Sequence, residues 1–140
     1  MFEHKDKTNI SSLGEFKLID HLTKSFTISK EETVLGIGDD AAIIESKGKY
    51  QLISTDMLIE NIHFDIMYSP LVHIGYKAIS SNISDICAMN ARATQVLVSI
   101  AISSKYTLEA IEELYVGMRA ACEKYDIQLI GGDTSSSVTG

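Results

Sequence analysis

Five aspartates of this 140-residue chain lie among small residues, a setting typical of loops that bind metal ions and phosphates. Glycine lets the backbone approach a ligand closely because no side chain blocks the approach. Adjacent carboxylates repel each other, and a nearby cation would relieve that repulsion. Mg²⁺ prefers oxygen ligands and is usually held by one or two carboxylates together with substrate phosphates. The aspartates occur in Gly36-Ile37-Gly38-Asp39-Asp40, Ser54-Thr55-Asp56, Asn82-Ile83-Ser84-Asp85 and Gly131-Gly132-Asp133-Thr134.

Phosphoryl transfer is the chemistry that this pattern favours, because it needs positioning and neutralised charge more than covalent work by the protein. The sequence contains neither G-x-x-x-x-G-K-[ST] nor G-x-G-x-x-G, which excludes P-loop and Rossmann sites. A simpler alternative is that the aspartates and glycines are ordinary turn residues. As a set, the residues that fit a Mg²⁺ and phosphate site are Asp40, Thr55, Asp56, Asp85 and Asp133.

The hydrophobic pattern predicts the elements that must position these side chains. Residues 41–45 and 50–56 read as strands joined by a tight turn, which would place Asp40 beside the 54–56 cluster. Asn82 and Asp85 are three residues apart and therefore share one face of a helix. The remaining predicted elements are helices at 14–26, at 70–89 and from Thr107 onward, and strands at 93–102 and 127–130.

Composition indicates a globular protein and excludes several functional classes. Hydrophobic residues make up 45% and charged residues 22% of the chain, as in ordinary globular domains. The net charge of -7 argues against nucleic-acid binding, although an acidic protein can bind polyphosphates through a divalent metal. The most apolar run, 96–102, is too short to span a membrane, and the N-terminus is no signal peptide. Two cysteines without a disulfide pattern predict a reducing, cytoplasmic location.

The chain resembles the thiamine-monophosphate kinase family, within the superfamily named for aminoimidazole ribonucleotide synthetase. The resemblance extends over residues 14–134 and depends on several motifs in a fixed order, none of which is specific alone. The motifs are Gly36-Ile37-Gly38-Asp39-Asp40-Ala41-Ala42, Ser54-Thr55-Asp56-Met57-Leu58, Ile62-His63-Phe64, Gly75-Tyr76-Lys77-Ala78, Asn82-Ile83-Ser84-Asp85-Ile86-Cys87-Ala88-Met89 and Leu129-Ile130-Gly131-Gly132-Asp133-Thr134.

This resemblance implies an enzyme that transfers the γ-phosphoryl group of ATP to thiamine monophosphate, giving thiamine diphosphate, with several Mg²⁺ ions. It implies that His63 contacts thiamine monophosphate, and it assigns no catalytic residue to this part of the enzyme. Asp39 is a second-ranked metal ligand. The implied metal ligands are Asp40, Ser54, Thr55, Asp56 and Asp85, and the implied ATP contacts are Gly132, Asp133 and Tyr115.

The same resemblance implies an α+β fold: a mixed, mostly antiparallel four-stranded sheet with two main helices on one face. The expected organisation is a flexible arm at 1–12, an ATP- and Mg²⁺-binding domain at 13–134, and a linker or active-site loop at 135–140. Members of the family are longer, so a C-terminal domain is absent and the fragment alone is expected to be inactive. A homodimer formed through the sheet is also implied.

Two departures from the family pattern bear on the site. Asn90 stands where the family usually has glycine, and asparagine tolerates the left-handed backbone that the turn needs. Ser136 stands where an arginine is often found, which predicts a weaker contact with the nucleotide phosphates. Two alternatives remain: another ATP-dependent synthetase of the superfamily, making selenophosphate or aminoimidazole ribonucleotide, or a non-catalytic dimerisation or nucleotide-sensing module.

Overall fold

The computed structural model describes residues 9–138, which form an α+β arrangement of helices and short sheets. A short 3₁₀ helix, Ile10–Ser12, lies within the predicted N-terminal arm, of which residues 1–8 are outside the described range. The elements that follow are α1 (Glu15–Thr23), β1 (Thr33–Leu35), β2 (Ala42–Ser46), β3 (Lys49–Ile53), α2 (Leu71–Ala88), β4 (Gln95–Ser103), α3 (Leu108–Tyr125) and β5 (Gln128–Ser137).

Strands β1, β2 and β3 form an antiparallel sheet in that order. The predicted hairpin is confirmed: β2 and β3 pair from Ser46↔Lys49 to Ala42↔Ile53. Lys47 and Gly48 both have positive φ, 52° and 74°, as a two-residue hairpin turn requires. Because Ala42 pairs with Ile53, the residues just outside the pair, 40–41 and 54, lie next to each other at one end of the sheet.

Strands β4 and β5 form a separate, parallel pair, and this corrects the prediction of one mostly antiparallel four-stranded sheet. Helix α3 connects the end of β4 to the start of β5, and such a crossover returns the chain in the same direction. Strand β1 has only three residues and was not predicted. Strand β5 continues through Ser137, into the range expected to be a linker or loop.

The core lies between helices α2 and α3 and the covered face of β4. Ile79 of α2 and Met118 and Ala121 of α3 are at most 5% exposed and pack against Val96 and Val98. The helices cross at Gly75 and Gly117, where no side chain would fit. A Cβ atom on Gly117 would overlap the Val72 carbonyl, and one on Gly75 would overlap the Leu114 carbonyl. The two glycines therefore set the distance between the helices.

Helix termini agree in part with the sequence. Helix α2 was predicted over 70–89 and spans Leu71–Ala88, with Pro70 as an N-cap that makes no side-chain cap bond. Asn90, after α2, has φ of 56°, so the expectation that asparagine would take the left-handed turn in place of glycine is confirmed. Among residues 9–138, no helix is long and apolar enough to cross a membrane.

Thr107 caps the N-terminus of α3, as predicted, because its side-chain oxygen accepts a hydrogen bond from the Ala110 amide at 3.3 Å. Thr107→Ala removes this acceptor from an otherwise unsatisfied amide, and we expect it to lower the free energy of unfolding by about 1 kcal/mol. Urea unfolding followed by circular dichroism measures the change. Thr27→Ala, in an exposed segment without helix or strand, is the matched control. Equal effects of the two substitutions would show that the cap is not important.

Much apolar surface is uncovered in the chain alone. Leu97 on β4 is 66% exposed and Phe16 on α1 is 86% exposed. Exposed and partly buried residues alternate along β4, so this strand is covered on one face only. The accessible surface is 11278 Å², whereas a compact monomer of 15.4 kDa exposes roughly 7,200 Å². Even fully extended, ten residues, the number outside the described range, would expose only about 1,600 Å². Most of the accessible surface in excess of a compact monomer therefore belongs to residues 9–138.

Candidate functional site

The hairpin and α2 bring three oxygen-bearing groups together at one end of the first sheet. The Ser54 Oγ lies 2.9 Å from the main-chain oxygen of Asp40 and 3.0 Å from Oδ2 of Asp85. Ser54 follows β3, Asp40 precedes β2, and Asp85 is on the last turns of α2. A serine hydroxyl carries one proton, so it satisfies these two acceptors only by sharing that proton. Three of the predicted site residues therefore meet in space.

Asn82 fixes the next part of the same loop. Its Oδ1 accepts a hydrogen bond from the Asp56 amide at 2.8 Å, and its Nδ2 donates to the Ala78 carbonyl at 3.0 Å. Asn82 and Asp85 thus act from one face of α2, as their spacing predicts, and hold residues 54 and 56. The Asp56 carboxylate is exposed and accepts from the Met57 amide at 2.8 Å. Sequence reasoning noted the position of Asn82 but did not include it in the site.

Asp39 and Asp40 differ in their local contacts. The Asp39 carboxylate accepts a hydrogen bond from the Asp40 amide at 2.9 Å, so it stabilises its own loop. Gly38, with φ of 127°, supplies a backbone conformation that other residues rarely adopt. The Asp40 carboxylate is exposed, and within residues 9–138 it has no hydrogen-bond partner. Asp40 is therefore the better placed of the two to bind a ligand.

The donor set suits a hard cation, because Ser54 and its two hydrogen-bond partners, Asp40 and Asp85, all offer oxygen. In the described part of the chain, no three His, Cys, Asp or Glu side chains come close enough to hold a metal by themselves. A cation here would therefore need main-chain or hydroxyl oxygens, water or substrate phosphates to complete its coordination, which is how Mg²⁺ is usually bound. Thr55 lies between Ser54 and Asp56 and is exposed.

His63 lies in an exposed turn that follows the Ser54-Thr55-Asp56 segment. Its Nδ1 accepts a hydrogen bond from the Ile59 amide at 2.9 Å, and its carbonyl accepts one from Lys77 Nζ of α2 at 3.0 Å. The neighbouring Glu60 carboxylate binds Tyr106 and Lys105, and these hydrogen bonds hold the pKa of Glu60 below its ordinary value. Burial, followed by the contact with Glu60, raises the pKa of Tyr106. Sequence reasoning missed this cluster, because nothing local links residue 60 to residues 105 and 106.

The predicted ATP contacts line one depression of about 510 Å³. Tyr115 of α3 forms one wall, and Gly131, Gly132 and Asp133 of β5 form the other. Gly132 has φ of 155°, and a Cβ atom at this position would overlap the Val98 carbonyl of β4. Glycine is thus required both for the backbone angle and for the close approach of the two strands. A second depression, of about 550 Å³, shares Val98, Tyr115 and Leu129 with the first.

Fold and site together define a domain with two features. Acidic, oxygen-rich loops lie at one end of the antiparallel sheet, and a glycine-lined depression lies beside the parallel β4–β5 sheet. Residues 38–140 match the family described as AIR synthase related protein, N-terminal domain. The chain belongs to this family. The match starts at Gly38 and contains Asp40, Ser54, Asp85 and the Gly131–Asp133 segment.

Known relatives carry a more specific name. The chain is 42% identical to "Thiamine-monophosphate kinase" of Bacillus subtilis (strain 168) over 126 residues, which is 89% of this chain and 38% of that protein. It is 38% identical to the protein of the same name from Aquifex aeolicus (strain VF5), covering 91% of this chain and 40% of that protein. The chain therefore spans about two fifths of the length of these relatives.

Solved structures agree with this comparison. The structure described as "AaThiL complexed with AMPPCP and TMP" aligns with a TM-score of 0.83 and 34% identity, over 95% of this chain and 41% of that chain. A thiamine-monophosphate kinase from Stenotrophomonas maltophilia K279a aligns with a TM-score of 0.59 and 35% identity, over 89% of this chain and 39% of that chain. The α+β fold expected from the sequence is thus found in relatives of known structure.

Proposed function

We propose that this chain is the N-terminal ATP- and Mg²⁺-binding part of a kinase that transfers the γ-phosphoryl group of ATP to thiamine monophosphate. The observation that carries the proposal is the meeting of Asp40, Ser54 and Asp85 at the end of the β2–β3 hairpin. The names of the relatives support the substrate, and the AMPPCP in a related structure, an analogue of ATP, supports the nucleotide. The product is thiamine diphosphate.

Several Mg²⁺ ions would be held by oxygens of Asp40, Ser54, Thr55, Asp56 and Asp85. Bound Mg²⁺ would neutralise charge on the transferred phosphoryl group and orient it. The chain's own contribution is positional: Asn82 holds the Asp56 main chain, and Ser54 links the ends of two strands to α2. Asp39, whose carboxylate accepts the Asp40 amide, would rank second to Asp40, as the family resemblance implies.

ATP would lie against the depression between α3 and β5. Gly132 and Asp133 would face its phosphates and their metal, and Tyr115 would contact the nucleotide, since all three line that depression. The open backbone at Gly131 and Gly132 leaves room for phosphate oxygens. His63, on its exposed turn, would contact thiamine monophosphate, because its Nδ1 already has a partner and its other ring nitrogen remains available.

The whole activity would need more than this chain. The relatives are more than twice as long, so a second domain would supply further substrate contacts, and the chain alone would be inactive. A second copy of the chain would cover the exposed face of the sheet that carries Leu97 and Ile130, forming a homodimer. The cytoplasm is the expected location.

Calorimetric titration with Mg-ATP tests the proposal. We expect binding that disappears with EDTA, because the phosphates and the carboxylates repel each other without a cation between them. Thiamine monophosphate is then titrated into the Mg-AMPPCP complex. Binding of ATP that does not depend on metal would contradict the proposed site. Complete absence of nucleotide binding, in this chain and in a chain extended to the length of the relatives, would favour a non-catalytic module.

A further inference from the structure

The segment between β3 and α2 lacks helices and strands, yet its middle part is fixed by a closed set of hydrogen bonds. We refer to residues 59–64 as the His63 turn. The amides of Ile62 and His63 both donate to the Ile59 carbonyl, at 3.2 and 2.8 Å, and the Asn61 amide donates to the Phe64 carbonyl at 2.7 Å. Asn61 has φ of 64°, a left-handed conformation that asparagine tolerates. The turn is therefore a defined structure.

This turn determines which nitrogen of His63 carries the proton. The Ile59 amide donates to Nδ1 at 2.9 Å, so Nδ1 must be unprotonated. A neutral imidazole has one N–H group, which is then on Nε2. Within residues 9–138, Nε2 has no hydrogen-bond partner. His63 is thus held with one nitrogen bound to its own turn and the other available as a donor.

Two contacts from outside anchor the turn. Lys77 Nζ of α2 donates to the His63 carbonyl at 3.0 Å. On the other side, the Glu60 carboxylate accepts from Tyr106 Oη at 2.8 Å and from Lys105 Nζ at 3.1 and 3.2 Å. Lys105 and Tyr106 lie between β4 and α3, more than forty residues along the chain. The ammonium of Lys105 also lies 4.9 Å from the centre of the Tyr106 ring.

The Glu60 contact differs from an ordinary surface ion pair. The side chains of Glu60 and Lys105 are 11% and 46% exposed, whereas those of the Arg92–Asp126 pair are 72% and 87% exposed. Exposed pairs contribute little to stability, while a carboxylate removed from water requires its partners in good geometry. The three groups Glu60, Lys105 and Tyr106 therefore hold the turn in one conformation relative to β4 and α3.

We propose that Glu60, held by Lys105 and Tyr106, is a positioning residue that fixes the His63 turn so that His63 presents Nε2–H to the phosphate group of a phosphorylated substrate. The positioning follows from the contacts of the described residues, whereas the contact of His63 with a substrate phosphate rests on the function proposed above. A neutral N–H donor can bind a phosphate oxygen directly. The phosphate of thiamine monophosphate is the group expected there.

Nuclear magnetic resonance of the ¹⁵N-labelled chain tests the positioning without any substrate. Ring ¹⁵N shifts report the tautomer of His63, and amide exchange reports the opening of the Ile59 hydrogen bond. We expect the Nε2–H tautomer alone in the unmodified protein. In Glu60→Gln, which keeps an acceptor but loses the charge, we expect both tautomers and at least about tenfold faster exchange of the Ile59 amide. Arg92→Met, which breaks the exposed pair, is the control and leaves both signals unchanged.

Tyr106→Phe provides a second variant that removes one hydroxyl and keeps the ring, in case Glu60→Gln prevents folding. A proton on Nδ1 of His63 in the unmodified protein would overturn the proposal. The proposal would also be overturned if the Ile59 amide exchanged at the same rate in every folded variant of Glu60 and Tyr106 as in the unmodified protein. Global unfolding is measured on the same samples, because a purely structural role would change global stability and the Ile59 exchange rate by the same factor.

Thiamine monophosphate is the probe for the second part. In the presence of Mg-AMPPCP, we expect Tyr106→Phe to weaken its binding about tenfold and to leave the affinity for AMPPCP unchanged. Failure of thiamine monophosphate to bind both this chain and a chain extended to the length of the relatives, with the expected tautomer present, would refute the substrate in the proposed function and support positioning alone. Binding unaffected by either variant would refute the link between the His63 turn and the substrate.

Discussion

Gly117→Ala is expected to lower the free energy of unfolding by at least about 2 kcal/mol, although alanine is the better helix former. In a solvated helix interior the same substitution raises the free energy of unfolding by about 1 kcal/mol. A decrease would therefore identify steric overlap between the helices, and not helix propensity, as the dominant effect. Here the added methyl group would overlap the Val72 carbonyl on α2, and backbone cannot move aside as a side chain can. The helices would have to separate and open the contact among Ile79, Met118 and Ala121.

Thermal and urea unfolding of the same variant measure the effect. Gly75→Ala, which would meet the Leu114 carbonyl from the other helix, should give a similar loss. Glu112→Ala, at an exposed position of α3, is the control and should change the free energy of unfolding by less than about 0.5 kcal/mol. A stabilised Gly117→Ala would show that the two helices are not in close contact in solution.

Asp56→Asn is expected to weaken the binding of Mg-ATP by about 100-fold, and Asp39→Asn by far less. Groups that only support a metal ligand already change affinity by about 10- to 100-fold, so loss of a ligand's charge should be at the upper end. The Asp56 main chain is fixed by Asn82, next to the Ser54–Asp85 contact, which makes its carboxylate a preorganised ligand. Each carboxylate accepts the amide of the following residue, so the ranking depends on the Asn82 bond to the Asp56 main chain, which has no counterpart at Asp39 within residues 9–138.

Calorimetry with Mg-ATP compares the two variants, which are matched in chemistry, charge and exposure. Unfolding of both is measured in parallel, and we expect small changes because both side chains are exposed. Equal losses of affinity in the two variants would contradict the ranking of Asp56 above Asp39. A loss of Mg-ATP affinity in Asp39→Asn alone would indicate that the metal is bound by the Gly36–Asp40 loop.

Local patterns were enough to predict the elements that carry the acidic residues. The helix predicted at 70–89 was found at Leu71–Ala88, and the hairpin with its turn at Lys47–Gly48 was found where the strand pattern had predicted it. The proximity of Asp40 and Ser54 followed from that hairpin, because pairing across a tight turn is local. The order of the motifs also indicated the family to which the chain belongs.

Tertiary structure decided what depends on residues far apart in the chain. The sheet divides into an antiparallel and a parallel part because α3 crosses over from β4 to β5, and alternation within a strand carries no information on its partner. Gly131 and Gly132 belong to a strand, since β4 pairs with them. The contact of Asn82 with Asp56 spans 26 residues and that of Glu60 with Tyr106 spans 46. The sequence alone determined the elements and the donors, and packing determined which of them meet, because side chains so distant in sequence are joined only by the fold.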